Sequence, residues 1–151
     1  MNLEERRVGL TRVCEDLIDK RIGDAQSELS SYSDQSKEET KSSAGDKYET
    51  ARAMIHLERE KIASRLNELA KLKRVIGQIS AGTISAPLGR LILTDKGSFF
   101  ISVSLGLVKY DGEDFMAISP VAPLGNLLSK AKQGEVVSFN KTQYEIAEVA
   151  G

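Results

Sequence analysis

An apolar residue returns every seven positions through the first half of this chain, and that repeat limits what the half can fold into. Ile55, Ile62, Leu69 and Ile76 keep the step, with Leu66, Leu72 and Ile79 between them. Leu3, Leu10 and Leu17 keep it as well, and Val13, Ile18, Ile22, Ala25 and Leu29 continue the stripe at helical spacing. With 3.6 residues to a turn, such recurrence gathers apolar side chains on one side of an α-helix. The pattern predicts two helices of about 30 residues, each about 45 Å long, facing one another. Their other faces carry Arg, Lys and Glu, and no stretch reaches the roughly 18 apolar residues of a membrane span. Residues 30–44 are rich in Ser, Asp, Lys, Glu and Thr, which predicts a connecting loop. Residues 1–79 therefore read as an antiparallel coiled-coil hairpin with a polar tip.

Composition changes near position 80. Pro87, Pro120 and Pro123, the only prolines, lie beyond it with eight of the twelve glycines. Residues 80–88, with Ala81-Gly82 and Ala86-Pro87, read as a hinge, and residues 89–151 as a second domain. There, residues 90–94, 98–104, 107–110 and 115–118 read as strands separated by turns at 95–97, Gly106 and Asp111-Gly112. A short helix is predicted over 123–132, with Pro123 in its first turn and Gly134 closing it. Residues 135–139 and 144–149 then form a hairpin across 140–143. The fold class is α+β, an antiparallel sheet with one short covering helix.

Lys and Arg total 21 against 22 Asp and Glu, so no bulk positive field draws the chain to nucleic acid or to a membrane surface. Sequence-specific DNA binding is not expected. The single cysteine, Cys14, excludes an internal disulfide, and the charged N-terminal residues do not read as a signal peptide, so a cytoplasmic protein is expected. Cys14 lies beside the apolar seam and reads as core filler. His56, the only histidine, reads as a rim or exposed residue, and no oxyanion hole accompanies the two as a nucleophile and base. Phe99, Phe100 and Phe115 read as sheet core. Arg59, Lys61, Arg65, Lys71, Lys73 and Arg74 make the second helix locally basic, a solvated face or a surface for RNA phosphates.

Chemistry concentrates where the polar segment meets the second helix. Gly45 lets the backbone turn, Asp46 caps the helix or sits in its first turn, and Glu49 follows three residues later on the same face. A carboxylate pair suits a hard cation such as Mg²⁺, yet two ligands are too few for an ion that takes about six oxygens. The pair works as a metal site only if another molecule supplies the rest. The same spacing also serves ordinary helix capping.

Two separate segments carry a resemblance. Gly45-Asp46-Lys47-Tyr48-Glu49-Thr50-Ala51 is similar to the tip motif of the bacterial Gre transcript-cleavage factors, GreA and GreB. Downstream, Ala122-Pro-Leu-Gly125, Leu127-Leu128, Lys130, Gly134-Glu-Val136 and Tyr144-Glu-Ile146 resemble the C-terminal domain of that family. The resemblance implies a C-terminal domain of FKBP-like fold that docks at the rim of the secondary channel of bacterial RNA polymerase while the hairpin enters it. It also implies that Asp46 and Glu49 help hold a second Mg²⁺ at the polymerase centre, where backtracked RNA is cleaved. The ion would be shared with the polymerase, none being bound tightly by the free protein, and the chain would be no enzyme by itself. The sequence departs from the family in having Thr50 where an Asn is usual, Arg52 and Ala53 after Ala51, and a longer segment before Gly45. The alternative is a channel-binding inhibitor, adaptor or interaction module in which the two acids only cap the helix.

Overall fold

The structure, a computed structural model, describes the backbone of residues 2–39 and 45–151 and the side chains of residues 2–34 and 49–151. Its elements in chain order are α1 (Leu3–Glu39), α2 (Gly45–Ala81), β1 (Leu91–Thr94), β2 (Gly97–Ile101), β3 (Gly106–Tyr110), β4 (Glu113–Ile118), α3 (Pro123–Ser129), β5 (Val136–Phe139) and β6 (Thr142–Ala150). The class is α+β, as the sequence indicates. Two compact units share the chain: Met1–Asp16 with Arg74–Gly151, and Leu17–Lys73.

In the unit Leu17–Lys73 the two helices pack antiparallel. Glu28 bonds Arg65 at 3.2 Å and Asp19 bonds Lys73 at 2.8 Å, so one helix descends as the other climbs. Ile62 and Leu69, at positions the seven-residue repeat assigns, are buried along the seam with Ile18 and Ala25 of the stripe in α1, whereas the repeat residue Leu17 is half-buried. Fully burying such a side chain stabilises by about 1.5–3 kcal/mol, whereas an exposed ion pair contributes about 0–1 kcal/mol. The seam, and not the surface pairs, holds the helices together.

Residues 30–39 correct the expectation of a loop over 30–44, because α1 continues to Glu39; residues 40–44 lie outside the described residues. No glycine or proline interrupts the chain between Gly23 and Gly45. Polarity there reports exposure, and without a breaker the Gln-Ser-Lys-Glu-Glu run continues the helix it follows.

The other unit contains the sheet, ordered β3-β4-β2-β1-β6-β5. All neighbours are antiparallel except β2 and β4, which run parallel, a departure from the all-antiparallel expectation. The cause is the link after β2. Residues 102–105 carry the chain past one strand position, β3 forms the edge, and the β3–β4 hairpin returns β4 into the gap. Asp111 and Gly112 make that hairpin's turn at φ 51° and 77°, and Asn140 and Lys141 make the β5–β6 turn at φ 48° and 65°. Two consecutive residues of positive φ match the twist of antiparallel strands.

Both sheet faces carry core residues. On one, Val149, Ile92, Phe99 and Met116 form a row across four strands, and α3 contributes Leu128 to the same core. The Phe99 and Tyr144 rings meet edge to face at 5.8 Å. On the other face Leu91, Phe100 and Ala117 align and are buried. Ile146 and Val149 lie an odd number of residues apart yet join one core. A bulge allows it: Leu93 faces Glu148 while Thr94 faces Ile146, leaving Ala147 as the extra residue.

Within this unit the helix ends are closed in different ways. At the start of α1, Asn2 Oδ1 accepts the Glu5 N–H at 2.7 Å and the Glu5 carboxylate accepts the Asn2 N–H at 3.3 Å, a reciprocal capping box. At the end of α2, the Thr83 N–H donates to Gln78 O and the Gly82 N–H to Ile79 O, with Gly82 at φ +70°, which is a Schellman closure. Helix α3 begins on Pro123 and ends at Ser129, short of the expected 132. The Arg90 guanidinium closes it, donating to Ser129 O and, at 2.9 Å, to Ala131 O. Gly134 instead serves a turn at φ +89° whose N–H reaches Ile146 O.

Two glycines permit close approach. A Cβ on Gly9 would stand 2.1 Å from the Tyr110 hydroxyl, and one on Gly125 would stand 2.0 Å from the backbone oxygen of Ser119. Gly77, inside α2, faces nothing within 4 Å. Gly125→Ala is therefore expected to cost about 1–3 kcal/mol, since a main chain must shift. Gly77→Ala is expected to stabilise by about 0.5–1 kcal/mol. Urea unfolding of the two variants checks both signs.

Candidate functional site

The first turns of α2 hold the acidic pair singled out in the sequence. Gly45 begins the helix, so the Asp46 backbone lies in its first turn, and the Asp46 side chain lies outside the described residues. Glu49, in the second turn, is exposed. Among the described residues no hydrogen bond or ion pair engages its carboxylate. Helical spacing puts the two residues on one face. The positive end of the helix dipole favours negative charge at this end.

The contrast with the start of α1 is informative. There the same three-residue spacing, Asn2 to Glu5, closes both bonds of a capping box. At the start of α2 the helix begins before Asp46, and Glu49 does not reach back to close such a box. That capping box is legible in the sequence as an Asn followed three residues on by Glu. Arg90 was missed, because an Arg that caps a helix some forty residues away leaves no local pattern.

Further along α2 the charges are largely paired. Glu60 meets His56 at 3.1 Å, Glu58 meets Lys61 at 3.2 Å and Glu68 meets Lys71 at 3.1 Å. With Arg65 and Lys73 bound to Glu28 and Asp19, four of the six basic residues expected to form a basic face are in ion pairs. The solvated-face reading fits these four. His56 is exposed, as expected of a rim residue.

Cys14 is fully buried, and burial is the main cause that pushes its thiol up to about 12, with the neighbouring Glu15 charge adding to it. The thiol is core filler, far from the thiolate character a nucleophile requires. Glu4 is held below the ordinary carboxylate range, chiefly by its hydrogen bond from Arg7. Asp95 is lowered by accepting the Glu145 N–H and a Lys96 bond, which ties the β1–β2 turn to β6.

Among the described residues no three His, Cys, Asp or Glu side chains come together to hold a metal ion. Among them, too, no helix is long and apolar enough to cross a membrane. Comparison with protein-family models, with curated proteins and with solved structures returned no match.

The state of Cys14 has a measurable consequence. A raised thiol binds its proton more tightly folded than unfolded, so its contribution to stability is complete below the ordinary value of 9.0 and is progressively lost as pH climbs from there toward about 12. Stability measured by urea titration is expected to fall between pH 9 and pH 11 in the natural protein, and to fall less in Cys14→Ala. At pH 8 a thiol reagent is expected to label Cys14 only after unfolding.

Proposed function

We propose that this chain is a Gre-type accessory factor of bacterial RNA polymerase, acting in the cytoplasm, that enters the secondary channel and stimulates cleavage of backtracked RNA through Asp46 and Glu49. The observation that carries the reading is Glu49: exposed, in the second turn of α2, and without a partner among the described residues. A glutamate recruited only for capping would have its bonds closed, as Glu5 does. The antiparallel pairing of the helices supports the reading, because it brings the start of α2 to the end of the helical pair where α1 gives way to it. An α+β second domain with an FKBP-like fold, as proposed here, would be the part that docks at the channel rim.

The donor set fits a shared Mg²⁺. Two carboxylates supply part of the shell of about six oxygens, so the polymerase and the RNA must supply the remainder. Such an ion, when bound, stabilises negative charge on the phosphate and favours a deprotonated water. Asp46 and Glu49 would hold and orient it from one helix face. The chain itself then carries no complete catalytic site and is not an enzyme alone.

The test is a cleavage assay on stalled, backtracked elongation complexes. Even partners one shell removed from a metal cost about 10–100-fold when lost, so Asp46→Ala and Glu49→Ala are each expected to slow RNA shortening by on the order of 100-fold while still binding polymerase. Variants that bind and cleave like the unmutated protein would sink the catalytic reading and leave a channel-occupying module.

A further inference from the structure

A cleft of about 460 Å³ opens in the unit that contains the sheet, lined by Ala86, Pro87, Arg90, Pro120, Asn126 and Lys130 among others. Its size lies within the roughly 300–1,000 Å³ of small-molecule sites. Ser129 and Gly151 complete the lining, to which no acidic side chain contributes. Arg90 is half-buried and donates only to the main-chain oxygens of Ser129 and Ala131, which are neutral acceptors. Those carbonyls, at the end of α3, offer it only partial negative charge, and a guanidinium has further N–H donors to give. Lys130 stands exposed at the same end of α3, and among the described residues no ion pair engages Lys130 or Arg90.

Two cations outside any ion pair among the described residues, an exposed Asn126 amide and apolar proline surface make a chemically defined combination. We propose that the cleft binds a phosphate monoester of small-molecule size. A phosphate monoester carries about −1.5 to −2 charges at pH 7, matching an Arg and a Lys better than a single carboxylate does. The phosphate oxygens accept from Arg90, Lys130 and the Asn126 amide, and the organic body lies against Pro87 and Pro120. Arg90 thus does two things, closing α3 through its carbonyls and presenting its remaining donors to the anion. The site is independent of Asp46 and Glu49.

The experiment is an NMR titration of the full chain at constant ionic strength with AMP, adenosine and inorganic phosphate as probes. AMP is expected to shift the Arg90, Asn126 and Lys130 amides saturably, inorganic phosphate to shift them more weakly, and adenosine to leave them in place. Lys130→Gln, at an exposed position, is expected to keep the thermal midpoint and to weaken AMP binding by about tenfold or more. The proposal fails if AMP does not saturate these amides, if adenosine binds as well as AMP, or if the Lys130→Gln affinity is unchanged. Equal binding of inorganic phosphate and AMP would overturn the role given to the proline surface.

Discussion

Each long helix has one apolar stripe on an otherwise charged cylinder, and water opposes leaving that stripe exposed. An isolated helix of mostly polar residues is marginal in water, because nucleation is costly and each added residue gains little. Ile18, Ala25, Ile62 and Leu69 in one unit, and Leu10, Cys14, Ile76 and Ile79 in the other, remove the stripe from water. The surface ion pairs between the helices fix register more than they add stability. Thr11, a polar residue among these, is tolerated because its hydroxyl donates to Arg7 O at 2.8 Å.

A different constraint shapes the sheet. A strand with one wet face alternates apolar and polar residues, but Leu91 with Ile92, and Phe99 with Phe100, are buried in adjacent pairs. Such strands need cover on both sides. Leu128 of α3 joins the core on one side. Toward the first turns of α1 the same unit offers Gly9 beneath Tyr110, Arg6 bonded to Glu113 at 3.1 Å, and Arg7 reaching Gly89 O at 3.3 Å. Gly9 is the position at which α1 has no side chain to hold the tyrosine away.

Which of these features the sequence displays depends on whether their cause is local. The helical seam, the six strands and the Asp-Gly turn are local, written in seven-residue steps and β-branched runs, but the strand read over 98–104 ends at Ile101 and the turn read over 140–143 is the pair Asn140-Lys141. The parallel β2–β4 pair is not, because residues 102–105 look the same whether the chain returns beside β2 or skips a position. The reach of α1 to Glu39 was hidden for another reason: a polar segment without glycine or proline suits both an exposed helix and a loop. The bulge at Ala147 was half visible, since Tyr144, Ile146 and Val149 break the two-residue period that a regular strand would keep. At the candidate site the spacing of Asp46 and Glu49 was readable; whether the glutamate closes a cap depends on where the helix begins, which spacing alone does not fix.

That starting point decides how the acidic pair is understood. A helix whose first residue was Lys47, with Asp46 as its N-cap, would have made Glu49 the natural partner of a capping box, and both acids would have been explained by the backbone. With Gly45 already the first helical residue, Glu49 is the fifth, two residues too deep for that role. Among the described residues its contribution to the helix is its charge at the positive end of the dipole, about 0.3–1 kcal/mol at an exposed position and weaker in salt. The helix start that removes the capping explanation leaves Glu49 exposed and, among the described residues, without a bond to its carboxylate.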